Sequence, residues 1–123
     1  MIELTDRQLL ALCLWGEARG EGVIGQLAVA HVVLNRSRGR SWYGRDVRGV
    51  ILKPYQFSFF NQVPDPLPQP GPEQLAIAEL VLGGHTVDPT KGATHYHAAA
   101  VDPSWRPHLD FLIRIGNHLF YRE

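Results

Sequence analysis

The stretch Leu14-Trp15-Gly16-Glu17-Ala18-Arg19-Gly20-Glu21-Gly22 holds the residues best suited to chemistry. It sets Glu17 on the last turn of an expected apolar helix, beside Trp15 and just before a glycine-bent turn. The negative end of the helix dipole, apolar neighbours and a nearby Glu21 all favour the protonated carboxylic acid. A general acid working near neutral pH needs that form. The plainer alternative is a Glu17 that pairs with Arg19 or Arg36 at a surface helix end.

Other candidates are scattered. Gln56, Phe57 and Ser58 combine an apolar ring with polar neighbours, a set suited to one edge of a sugar cleft, although Phe57 and Phe59 could equally be core. Tyr96 offers a phenol that can steady developing charge or bond a substrate oxygen, or can simply be a buried strand residue. His95 and His97 stand two apart on one expected strand face, and such a pair could hold zinc. No His-Glu-x-x-His accompanies them. Ser58 lacks the Gly-x-Ser-x-Gly elbow of a hydrolase nucleophile. His31, alone on an apolar helix, and Cys13, among leucines, read as packing residues.

The elements that must position these groups are legible in outline. Thr5 with Gln8 forms a capping box, stapled by Leu4, for a helix running to about Ala18. A second helix, 23–37, is apolar nearly all round and belongs at the centre of the fold. A short helix is expected over 46–52, stopped by Pro54. Five prolines between Pro64 and Pro72 mark an extended surface loop. A third long helix opens at Pro72 and ends before Gly83-Gly84. Residues 93–98 suit a short strand, Ser104 or Pro107 starts a last helix through Ile115, and 118–121 is a strand. The expected class is α+β, mainly helical, with a small late β element.

Composition bounds the rest. With 123 residues, the chain is read as one domain, 1–123. Apolar residues at 45% and charged ones at 20% exclude wholesale disorder. Twelve basic and twelve acidic side chains cancel, so no global field argues for nucleic acid. Six basic residues between Asn35 and Lys53 face one acid, Asp46, which is either a solvated face or an attraction to an anionic polymer. A single cysteine excludes an intrachain disulfide framework. Apolar runs are too short for stable membrane insertion. The start MIELTDRQ carries no secretory signal pattern.

Taken together, separated blocks of the chain resemble the bacterial cell-wall hydrolases of the spore-cortex-lytic (SleB/CwlJ) type, which also occur among phage lysis and virion proteins. The matching blocks are 15–21, 25–30, 33–36, 50–58, Asp88-Pro89-Thr90-Lys91-Gly92-Ala93-Thr94-His95-Tyr96-His97, and Ile115-Gly116-Asn117-His118-Leu119-Phe120-Tyr121. Lys91 stands where a glycine is common, and His97 where another aromatic often follows Tyr96. The resemblance implies a lysozyme-like core related to lytic transglycosylases and resuscitation-promoting factors. It implies Glu17 as the catalytic acid, acting without a cofactor on peptidoglycan glycan strands. Glu21, Gln56, Phe57, Ser58 and Tyr96 are then expected at the substrate.

Hydrolysis normally adds a second carboxylate. Glu21, Asp46, Asp88 and Asp102 are the candidates, and none sits in an obviously poised motif. A transglycosylase needs none, because the C6 hydroxyl of N-acetylmuramic acid attacks the anomeric carbon. That favours 1,6-anhydro products. A muramidase using Glu21, a zinc-dependent amidase and a non-catalytic wall-binding module are the alternatives. A monomer is expected, reaching the wall from the host cytoplasm as a phage lysis protein or carried in a virion.

Overall fold

The computed structural model describes residues 4–53, 57 and 66–123. Helix α1 spans Asp6–Ala18, α2 Val23–Ser37, α3 Val47–Leu52 and α4 Pro72–Leu82, and the strands are β1 His95–Ala98, β2 Asp110–Ile115 and β3 His118–Arg122. The fold is therefore α+β and mainly helical, with a three-stranded antiparallel sheet in the order β1-β3-β2.

Local chemistry accounts for the helix boundaries. The Gln8 N–H donates to Thr5 Oγ1 at 3.1 Å while the Thr5 N–H donates to Gln8 Oε1 at 2.9 Å, closing the expected capping box. Asp46 caps α3 by accepting from the Gly49 N–H at 2.7 Å. Pro72 opens α4, where its missing N–H costs nothing.

Helix α2 lies at the centre, with Ala28, Val29, Ala30, Val32 and Val33 each fully buried. Helices α1, α3 and α4 pack around it, and the sheet closes the remaining side. Cys13 is wholly buried, as expected among leucines. His31 is buried with its Nε2 2.8 Å from Thr86 Oγ1, a satisfied core histidine.

One expected element is wrong. Residues 104–115 form no helix; Arg106–His108 is a single 3-10 turn and Asp110–Ile115 is β2. Leu109, Leu112 and Ile113 mimic a helical spacing because β2 carries an extra residue. Phe111 pairs with Tyr121 and Ile113 with Phe120, so Leu112 is the unpaired residue of a bulge that breaks the strand's alternation. Ile115 pairs with His118, so Gly116 and Asn117 form a two-residue hairpin loop. Gly116 has φ 56°, at the first loop position where a type II′ turn takes glycine.

The segment that holds the six basic residues is not one continuous charged face. Arg36 is buried at 7% exposure, Arg48 bonds the Leu4 carbonyl and lies 3.7 Å from Asp6, and Arg40 lies 3.8 Å from Glu123. Among the described residues, no helix is long and apolar enough to cross a membrane.

Phe120 links sheet and helices. It is fully buried, with its ring 5.7 Å from that of Tyr96. Phe120→Ala is expected to cost about 3–5 kcal/mol in a urea titration, the range for emptying a fully packed aromatic site.

Candidate active site

Helix α1 and strand β1 meet at Glu17. The Tyr96 hydroxyl, on β1, donates to Glu17 Oε1 at 2.8 Å across 79 residues of sequence. Burial first, and then the adjacent Glu17 carboxylate, hold the Tyr96 phenol well above its ordinary value, so it stays a proton donor. Glu17 itself is half-buried on the last turn of α1. Arg19 does not define that helix end as an ion pair with Glu17: its guanidinium bonds the Trp15 carbonyl at 2.9 Å and lies 4.0 Å from the Trp15 ring centroid.

Glu21 grips the opposite side. Its N–H bonds the Ala18 carbonyl at 2.9 Å, turning the chain sharply after α1. Its Oε1 accepts from the Asn117 N–H at 2.8 Å and lies 3.3 Å from His118 Nδ1. This close approach demands two glycines. A Cβ on Gly116 would lie 2.9 Å from Glu21 Oε1, and one on Gly25 2.9 Å from Glu21 Cβ. Gln26, almost fully buried, donates to the Glu21 carbonyl at 3.1 Å and to Glu73 Oε1 at 2.6 Å, tying the turn to α4.

Behind the site, Asn35 and Arg36 fasten the segment that leads into β1. The Asn35 amide donates to Asp88 Oδ2 and to the Ala93 carbonyl, each at 2.9 Å. Arg36 Nε donates to the Thr94 carbonyl at 2.6 Å. Its guanidinium carbon lies 5.2 Å from the Phe57 ring centroid and 5.8 Å from that of Tyr43. Burial lowers the Arg36 pKa, while Tyr96, Cys13 and Glu17 act against that loss of charge. Lys91 occupies a backbone φ of 63°, the left-handed region, which explains why glycine suits that position.

Of the expected substrate residues, Tyr96 bonds Glu17, while Glu21 bonds the β2–β3 hairpin. Phe57 is a correction: at 1% exposure it is core beneath Arg36 and presents no ring face to a sugar. Gln56 and Ser58 lie outside the described residues.

The imidazole pair is not arranged to chelate. His97 Nδ1 is 2.8 Å from the Ala98 carbonyl and its Nε2 2.9 Å from the Tyr121 hydroxyl, so both ring nitrogens are occupied. Its ring also stacks on Tyr121 at 5.3 Å, filling the aromatic role at that position. Among the described residues, no three His, Cys, Asp or Glu side chains converge as a metal site. Sequence reasoning missed His118 as a neighbour of the carboxylates, although its place after the Gly116-Asn117 turn was the available signal.

The fold matches a known architecture. The family model described as cell wall hydrolase matches residues 20–121. The chain belongs to the cell wall hydrolase family. The spore cortex-lytic enzyme of Halalkalibacterium halodurans is 36% identical over 120 residues, covering 94% of this chain and 34% of that protein. Its Bacillus subtilis (strain 168) counterpart is 34% identical, covering 94% and 37%. The chain thus spans about a third of the length of these relatives. Cell wall hydrolase CwlJ of Bacillus subtilis (strain 168) is 29% identical over 128 residues, covering 96% of this chain and 85% of that one. Among solved structures, the catalytic domain of the germination-specific lytic transglycosylase SleB from Bacillus anthracis superposes with TM-score 0.84 at 30% identity, covering 98% of this chain and 97% of that one. The Bacillus cereus SleB catalytic domain gives 0.80 at 31% identity, covering 95% and 89%. The fold is that of an SleB-type catalytic domain, lysozyme-like as expected, and the cell wall hydrolase domain is an enzyme.

Two predictions test this geometry. Gly116→Ala forces a Cβ against Glu21 at a positive φ, and is expected to destabilise by about 1–2 kcal/mol in chemical denaturation. His95 is held down from 6.5 to about 4 by burial and by Arg36. The unfolded chain therefore takes up a proton that the folded chain refuses between those values. Stability should fall as pH drops from 6.5 toward 4, and His95→Gln should flatten that part of the urea-midpoint profile.

Proposed function

We propose that the chain cleaves peptidoglycan glycan strands between N-acetylmuramic acid and N-acetylglucosamine as a lytic transglycosylase, with Glu17 as its single acid and base. The observation that carries this reading is the contrast between Glu17 and the other carboxylates. Tyr96 orients Glu17, whereas each candidate partner is engaged in a structural contact. Glu21 holds the hairpin. Asp46 caps α3. Asp88 accepts from Asn35, Thr90 and Gly92; burial alone would raise its pKa, but these bonds outweigh it and keep the pKa low. Asp102 lies exposed against Arg106 at 2.6 Å. The engagement of all four favours a reaction that needs no second carboxylate.

In the proposed cycle, the Tyr96 hydroxyl takes up a lone pair on Glu17 Oε1 and directs the acid proton to Oε2. Glu17 delivers that proton to the glycosidic oxygen as its bond to the anomeric carbon breaks. The departing sugar leaves with a hydroxyl group. The muramic acid C6 oxygen then bonds to the anomeric carbon and gives its proton to Glu17, restoring the acid and closing the 1,6-anhydro ring. Charge develops on the sugar ring as the bond breaks, and the Glu17 carboxylate formed at that moment stabilises it. Lytic activity at the cell wall, by whichever route the chain reaches it, follows from the same chemistry. A phage lysis or virion origin and a monomeric state are part of this proposal.

Mass spectrometry of soluble products from purified peptidoglycan tests it. Wild type should release anhydro-muropeptides, and Glu17→Gln should lower the rate by about 10²–10⁴-fold, the usual worth of a positioned acid. Reducing-end muropeptides would instead mean that water is the nucleophile, with Glu21 the first residue to re-examine. An unimpaired Glu17→Gln protein would refute the assignment.

A further inference from the structure

His97 is buried and spends both ring nitrogens inside the fold, and His31 gives its Nε2 to Thr86. His118 is set as deeply, at 8% exposure, yet neither of its nitrogens hydrogen-bonds a described residue. The two nitrogens differ in their surroundings. Nδ1 is shut from solvent and lies 3.3 Å from Glu21 Oε1, out of line for a full hydrogen bond. Nε2 is not among the buried, unbonded atoms, so that edge of the ring is open.

One tautomer fits this setting. A lone pair on Nδ1 would face the carboxylate oxygen and be repelled, so the neutral ring carries its proton there. Nε2 is then the bare nitrogen, an acceptor in want of a donor. Burial holds the imidazole below its ordinary value against the opposing pull of Glu21 and Glu17, which leaves the ring neutral near pH 7. Glu21 is itself fixed, because its Oε1 also accepts from the Asn117 N–H at 2.8 Å. The ring stands edge-on to Tyr96, centroids 5.0 Å apart, and the Tyr96 hydroxyl bonds Glu17. A single tyrosine therefore spans from the His118 ring to the proposed acid.

We propose that Glu21 and His118 form a carboxylate–imidazole dyad in which Glu21 keeps the proton on Nδ1 and the bare Nε2 accepts a hydrogen bond from a hydroxyl of the bound glycan. His118 then touches the substrate, and Glu21 is a positioning residue that acts on it through His118. The dyad holds the strand in register with Glu17 and takes no part in the proton transfers. It rests on the reading of the chain as a glycan-cleaving enzyme.

The test follows imidazole nitrogen shifts by NMR in the whole chain, in a Glu17→Gln background that prevents turnover. The probe is the tetrasaccharide of two N-acetylglucosaminyl-N-acetylmuramic acid units. Before it is added, His118 should show a protonated Nδ1 and a bare Nε2, and Glu21→Gln should move that balance toward the Nε2–H form. At saturation the Nε2 signal should move upfield as it accepts the bond. His118→Gln, whose amide oxygen reaches the Nε2 position, should keep the dissociation constant. His118→Asn is too short and should raise it about three- to tenfold, the worth of one neutral hydrogen bond. A purely structural His118 would leave Nε2 unmoved and weaken binding equally in both variants. An unmoved Nε2 signal, a free protein with its proton on Nε2, a tautomer indifferent to Glu21→Gln, or a tetrasaccharide that does not bind overturns the proposal. If Nε2 moves as expected but wild type releases no soluble muropeptides, the cleavage reading fails and the glycan contact stands.

Discussion

A guanidinium shut away from water must find acceptors, and Arg36, at 7% exposure, finds the Thr94 carbonyl. That bond fixes where the chain stands two residues before Tyr96. Asn35 fixes the segment preceding it, through Asp88 and Ala93. The last turn of α2 thereby determines the height at which β1 enters the sheet, and with it the reach of the Tyr96 hydroxyl to Glu17. Ionic burial of this kind is costly unless the surroundings compensate. Here the same charge that locks the strand also lies close enough to act on Glu17 and Tyr96. Architecture and electrostatics are one feature.

The turn after α1 works in the opposite way, through what is missing. Gly25 and Gly116 have no side chains, and the Glu21 carboxylate fills the room they leave. A carboxylate set between a helix and a hairpin loop is a short, directional clamp. It holds the hairpin against the turn after α1 although only a small sheet supports it. The Gln26 bond to the Glu21 carbonyl keeps the clamp from rotating.

Much of this was legible in the sequence, and the reasons are specific. Thr5 with Gln8, the apolar 23–37 segment and Pro72 announce helices through strong local signals, and Glu17 stands out by its place at a helix end. The class followed from those, whereas Glu17 as the acid is implied by the family resemblance and not by its spacing. The last strand pair was obscured because the bulge at Leu112 replaces the alternation of a strand with an accidental helical spacing. The Gly116-Asn117 loop was a counter-signal, since two-residue turns of that type join strands. Phe57 was ambiguous in principle: an aromatic beside polar residues reads alike as a sugar platform or as core, and only its contact with a buried arginine separates the two. Arg36 was misread for the same reason, as burial of a charge is set by distant acceptors that no local window contains.

The bond between Tyr96 and Glu17 closes a span of 79 residues, and that between Asn117 and Glu21 one of 96. Contacts so remote in sequence carry a large loop-closure entropy and form late, after local helices have condensed. A chain emerging during synthesis can thus hold α1, with its glutamate, long before it holds the proposed site. The proposed site is complete only with the final hairpin in place, so the order of assembly would keep the proposed activity out of any unfinished molecule.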